Sequence, residues 1–193
     1  LDTLQCEDRF ALVAFDSVVE TFDAPDRAIP LHPLARLPQA RSWLATIDSR
    51  GGTQMAEPLR RVLDLHAEPG RLLCVLVITD GQVGNESALL AMVQGSASKA
   101  RLFTLGIDTA VNDSLLRELA RLGRGTCELV TPGEPLEASL GRLAREIGPD
   151  GVTVNSISPG AFPTDAEKIH PNQDEYNQMV LDSQSLKRRG TAN

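Results

Sequence analysis

Two residues carry the clearest chemical signal in the chain. Thr53 follows the break Arg50-Gly51-Gly52 and opens a helix-like stretch, and Asp80 closes the most apolar run of the sequence in Thr79-Asp80-Gly81. In an open α/β sheet both positions belong to the carboxyl edge, where ligands bind. A hydroxyl and a carboxylate converging there suit a hard cation: Mg2+ takes octahedral oxygen ligands, keeps several waters and is usually held by one or two carboxylates. Spacing alone is more simply read without a metal, with Asp80-Gly81 as a strand-ending turn and Thr53 as a helix N-cap.

The other reactive side chains stand apart. His32 lies among prolines, His66 near a helix end and His170 in the tail, with no carboxylate pattern between them, so all three read as surface or packing residues. Cys6, Cys74 and Cys127 form no C-x-x-C pair; Cys74 and Cys127 fall in apolar strand-like runs, where a thiol behaves as a small buried hydrophobe. Ser156 and Ser158 lack the Gly-x-Ser-x-Gly frame of a hydrolase. Glu134, Glu137, Arg142, Arg145 and Glu146 read as the solvated face of a helix.

The elements that must position Thr53 and Asp80 follow from periodicity. Arg9–Phe15 and Val18–Phe22 are compact apolar runs joined by a tight turn, hence adjacent strands. The Pro-punctuated stretch Pro25–Pro38 reads as loop, and Gln39–Ser49 as a helix with Ala40, Trp43, Leu44 and Ile47 on one side. A second helix after Thr53 has Met55, Leu59, Val62, Leu63 and Leu65 as its inner face and Pro58 in its first turn. Arg71–Thr79 is apolar throughout, the mark of a strand covered on both faces. Asn85–Val93 (helix), Ala100–Ile107 (strand), Asn112–Leu122 (helix), Thr126–Val130 (short edge strand) and Glu134–Ile147 (helix) continue the alternation. The expectation is an α/β fold: a doubly wound, mostly parallel sheet with helices on both faces, plus a strand and a polar tail. Gly148-Pro149-Asp150-Gly151 is a strong turn signal and divides the chain into residues 1–147 and 148–193.

Composition narrows the partners. A net charge of −7 and a pI near 5 disfavour phosphate backbones, and Lys187-Arg188-Arg189 is too short to reverse this, so nucleic acid is excluded as the expected partner. No apolar stretch is long enough to span a bilayer. Only 4% of residues are aromatic, so the core must be built mainly from Leu, Val, Ile and Ala. The start Leu1-Asp2-Thr3 carries neither Met nor a signal peptide, reads like the interior of a longer sequence, and assigns no compartment.

The ordered set Asp8-Arg9-Phe10, Phe15-Asp16-Ser17, Gly51-Gly52-Thr53 and Ile78-Thr79-Asp80-Gly81, with the later Gly106-Ile107-Asp108 and Leu116–Gly123, resembles the von Willebrand factor A-type (vWA) family, particularly its inter-α-trypsin-inhibitor heavy-chain group, over about residues 1–147. The resemblance implies that Thr53 is a direct metal ligand, that Asp80 binds through water or directly, and that a partner protein's carboxylate completes the coordination. It also exposes a departure. The family's first strand ends in Asp-x-Ser-x-Ser, and no such motif occurs here. One hydroxyl and one carboxylate remain, implying a degenerate site with poor affinity for Mg2+ or Mn2+, or none. By the same analogy the absent strand is the central one, between Arg9–Phe15 and Arg71–Thr79, which leaves an incomplete sheet with two unpaired buried edges and a tendency to self-associate.

The tail is of another kind. Residues 151–164, from Gly151-Val152-Thr153 to Pro163-Thr164, resemble the late strand and following loop of short-chain dehydrogenases/reductases, a likeness that continues to Arg189-Gly190-Thr191. It implies that Pro159, Gly160 and Thr164 lie near the nicotinamide end of NAD(P). The rest of that machinery is lacking. Gly123-Arg124-Gly125 has no third glycine and precedes a strand, and the sole tyrosine, Tyr176, has Val180 where Tyr-x-x-x-Lys requires a lysine. NAD(P) is therefore not an expected cofactor, and no enzyme activity is expected.

Taken together, the residues describe a chimera: a protein-interaction module of adhesion type with an impaired metal site. The alternatives are a remnant of an NAD(P)-dependent oxidoreductase and a non-functional fusion. One structural expectation follows from the join. Val152–Ile157, placed just after the last helix and rich in β-branched residues, can enter the vacant central slot and bring the hydroxyls of Ser156 and Ser158 toward the metal edge, but no carboxylate.

Overall fold

The run Arg9–Phe15 forms strand β1, and the turn at Asp16 feeds the short antiparallel β2, Val19–Thr21, with Phe15 paired to Val19. The structure is a computed structural model describing residues 8–24, 28–48, 52–80, 83–107, 111–130, 133–147 and 152–158, the last strand by its backbone. Within the stretch expected as loop, β3 (His32–Pro33) pairs antiparallel with the start of β1, and a 3-10 turn covers Leu34–Arg36. Helix α1 then runs Leu37–Leu44, starting before Gln39 and stopping short of Ser49. Pro38 occupies its first turn, where a missing N–H is no loss.

Beyond these lie α2 (Ala56–Leu63), β4 (Leu72–Thr79), α3 (Glu86–Ser96), β5 (Ala100–Ile107), α4 (Asp113–Leu122), β6 (Arg124–Val130), α5 (Leu136–Ile147) and β7 (Val152–Ser158). The strand order is β2-β1-β7-β4-β5-β6, with β3 off this path on β1. Strands β1, β7, β4, β5 and β6 are mutually parallel.

The central slot is therefore filled, and the incompleteness expected there is made good from the tail. β7 pairs Ala11–Ala14 of β1 with Asn155–Ser158, and Leu72–Val77 of β4 with Val152–Ile157. The reason is the one that made the vacancy untenable: flanking strands buried on both faces carry main-chain N–H and C=O groups that need partners. Gly148–Gly151, the sequence boundary, lies outside the described residues.

Helices cover both faces. On one face Ala11, Val13 and Phe15 of β1, Leu73, Val75 and Val77 of β4, and Leu102 of β5 pack with α2, α3 and α4. On the other, α5 covers Cys74, Leu76, Phe103 and Leu105, while α1 covers Phe10, Leu12 and Phe22. Helix α2 illustrates why these elements form. Leu59, Val62 and Leu63 follow Met55 at helical spacing and all four are buried, each contributing about 1.5–3 kcal/mol. Its outer face carries the Glu57–Arg61 ion pair.

Two close approaches fix the β5–β6 side. A side-chain Cβ at Gly123 or at Gly125 would run into Leu102, so neither position tolerates a larger residue without movement. Leu102 N donates to Gly123 O at 2.9 Å. These glycines thus serve packing between α4, β5 and β6. Arg142 departs from the expected solvated face: it donates to Glu128 on β6 at 2.9 Å, to Glu134 at 2.5 Å and to Ser139 at 2.9 Å, tying α5 to the sheet. The two carboxylates hold its proton more firmly than in a free guanidinium. His32 is a packing residue, buried with its ring 4.9 Å from that of Phe22 and 5.9 Å from that of Phe10.

Candidate functional site

Thr53 and Asp80 are delivered to the same edge of the sheet by different devices. Gly52, at φ +85°, turns the chain into the loop ahead of α2, and a Cβ there would stand 4.0 Å from Ser17 N. The next anchor is main-chain: Gln54 N donates to Asp16 O at 3.0 Å. Thr53 is thus held against the end of β1, between a glycine in the left-handed region and a hydrogen bond to the β1–β2 turn. It does not cap α2. The cap position is Met55, which has no side-chain cap and whose N donates to Thr53 O at 3.1 Å. Thr53 is half-buried.

Asp16 is the residue that sequence reasoning passed over. Its carboxylate is buried and accepts from Val18 N at 2.7 Å and from the Ser17 hydroxyl at 3.5 Å, closing an Asx turn. The turn fixes the carbonyl that holds Gln54. A signal existed in Phe15-Asp16-Ser17, an Asp directly after an apolar strand, but the contact to residue 54 runs through a main-chain atom that no side-chain pattern reveals.

Asp80 follows Thr79, which is buried at the end of β4 and level with Gly106 of β5. Asp80 itself is half-buried. One strand, β7, separates β1 from β4, so at about 4.8 Å per strand the two anchors stand about 10 Å apart across the edge. In register, Ser158 is level with Ala14 of β1, and Ser156 with Leu12 and Leu76. The described part of β7 therefore stops short of the level of Asp16 and Asp80.

The donor set is sparse. Among the described residues, no group of three or more His, Cys, Asp or Glu is placed to hold a metal ion. Of the residues singled out in the sequence, the described part of this edge carries Thr53 and Asp80, both half-buried. Pro159, Gly160 and Thr164 lie outside the described residues. Of the two described thiols, burial pushes Cys74 up to about 11 and also raises Cys127, so neither forms thiolate readily. Among the described residues, no helix is long and apolar enough to cross a membrane.

Comparison with known proteins gives two family matches. The family described as von Willebrand factor type A domain matches residues 2–129, and that described as Enoyl-(Acyl carrier protein) reductase matches residues 134–193. Among curated proteins, the chain is 31% identical over 122 residues to von Willebrand factor A domain-containing protein 5A of Rattus norvegicus, covering 56% of this chain and 15% of the relative. It is 33% identical over 112 residues to von Willebrand factor A domain-containing protein 5B1 of Mus musculus, covering 56% and 9%. The chain thus spans a small part of the relatives it matches. A solved structure, von Willebrand factor type A from Catenulispora acidiphila, superposes with a TM-score of 0.60 at 19% identity, covering 75% of this chain and 34% of that one. At that identity the likeness concerns the fold.

Proposed function

The chain belongs to the von Willebrand factor type A family, and from that premise we propose that it is a protein-interaction module and not an enzyme, with Thr53 and Asp80 forming a degenerate site for Mg2+ or Mn2+ at its binding edge. The observation that carries this reading is the tether between Gln54 N and Asp16 O, which brings the Thr53 loop to the edge where Asp80 emerges from β4. Asp16 positions, Thr53 offers a hydroxyl, and Asp80 offers a carboxylate. A bound divalent ion would supply a positive centre, and the natural partner is a protein that presents a carboxylate to it. With so few protein donors, affinity is low and partner binding adds much of the coordination energy.

The experiment is a thermal melt of the chain with and without millimolar Mg2+ or Mn2+, repeated on Thr53→Ala and Asp80→Ala. Because a ligand that binds only the native state stabilises it, the expected result is a metal-dependent rise in Tm in the native chain that both variants lose. A cooperative melt unmoved by either ion removes the metal from the proposal.

The match of residues 134–193 to a reductase family supports a second reading, an oxidoreductase remnant with Pro159, Gly160 and Thr164 toward NAD(P). It is the weaker one, since β7, the described part of that segment beyond α5, is occupied in pairing with β1 and β4. Saturable NADH binding would favour it over the metal-dependent module.

A further inference from the structure

We propose that the slot between β1 and β4 is a strand-exchange site, in which Val152–Ser158 of one copy completes the sheet of a second copy to give a reciprocally swapped dimer. Four observations converge on it. The slot lies between strands whose residues Ala11–Ala14 and Leu73–Val77 are all buried, so leaving it open exposes apolar surface and unpaired main-chain groups on two sides at once. The occupant and its seat match different families: β1, β4 and β5 fall within residues 2–129, and β7 within residues 134–193. The pairing that seats the strand is parallel and main-chain, and that pairing is the same whichever copy supplies the strand.

The order of closure points the same way. Pairing of β4 with β5, or of β5 with β6, joins segments close in sequence, whereas Ala11 must find Asn155 across most of the chain. Contacts of high sequence separation close late because of their loop entropy. A slot that closes late stays open while the other strands pair, and any strand of matching form can then fill it. Finally, α5 ends at Ile147 and is tied to β6 through Arg142, so only residues 148–151 link it to β7. Short links of this kind invite swapping, and an exchanged strand makes the same contacts as a retained one. Protein concentration during refolding then sets the balance between monomer and dimer.

The register supplies the test, because Val154 is level with Cys74 of β4. Paired positions on neighbouring strands are about 5 Å apart at Cα, within disulfide range. One chain carries V154C together with C74S; the other keeps its native Cys74. They are mixed unfolded at high concentration and refolded in glutathione buffer. Two thiols, one per chain, lose two protons and two electrons to oxidised glutathione, which leaves as two reduced molecules. Oxidation accompanies refolding because burial pushes the Cys74 thiol up to about 11 once the sheet is formed.

The expected product is a covalent heterodimer whose bond maps, by peptide mass spectrometry, to positions 154 and 74 of different chains. A V154C chain retaining Cys74 that closes only on itself, with no interchain bond in the mixture, overturns the proposal. So does the absence of either bond in chains that melt cooperatively. Light scattering on the native chain guards against a variant that fails to fold. Refolding at high concentration should give a species of twice 20.8 kDa, and refolding at low concentration the monomer. A monomer under both conditions contradicts exchange.

Discussion

The β5–β6 side of the sheet and the β7 seat hold their strands by different means. On the β5–β6 side, side chains interlock with the main chain. The Thr104 hydroxyl donates to Leu116 O at 3.0 Å, Asn112 caps α4 by accepting from Leu115 N at 3.1 Å, and Gly123 and Gly125 let the chain pass against Leu102. In the β7 seat, the described restraint is parallel pairing with β1 and β4, made by a segment that matches a different family. The first region is held by named side chains as well as by strand pairing, while in the second the backbone pairing of β7 fills the gap between buried strands.

The largest way to break this comparison is to remove the strand. A chain ending at residue 147 is expected to lose cooperative unfolding altogether, since β1 and β4 would face each other across a gap one strand wide; a sharp melt from that chain would mean that β7 is dispensable. Next in size is Gly125→Ala on the β5–β6 side. With the Leu102 carbonyl in the way, denaturant unfolding should give a loss of about 1–3 kcal/mol. Thr104→Val removes one buried hydrogen bond and leaves Leu116 O without that donor, for a loss of about 1 kcal/mol. Smallest, and of opposite sign, is Asn155→Val. Position 155 is level with Ala11 and Val75, both buried in the larger core, and an apolar residue there should raise stability by up to about 1 kcal/mol. A loss would show that Asn155 is chosen for its identity, and the contrast between the two regions would weaken.

How far the sequence disclosed this arrangement follows the same division. β1 and β5 run as the sequence predicts, because both are continuous apolar runs bounded by polar turns. The short β3 was illegible: a His-Pro pair carries no strand signal, and it pairs only because β1 offers it an edge. Arg142 looked like part of a wet helix face because Glu128, its partner on β6, lies outside the helix's own pattern. At the candidate site, Thr53 and Asp80 stood out through residue type and their place beside glycines and a buried strand. Asp16 did not, since it acts through a carbonyl and a turn closed by its own carboxylate. Gly123-Arg124-Gly125 reads in the sequence only as a pair of glycines too few for a dinucleotide loop, and its purpose is legible only once Leu102 is placed beside it.

The measurement closest to the centre of the account is amide hydrogen exchange, compared between β7 and β4 in the native chain. If β7 completes the sheet, amides across Val152–Ser158 are protected and open together with those of Leu72–Thr79, in one cooperative unit. If the β7 amides exchange freely while those of β4 stay protected, the strand does not occupy the centre of the sheet, and the account of how this domain is completed fails.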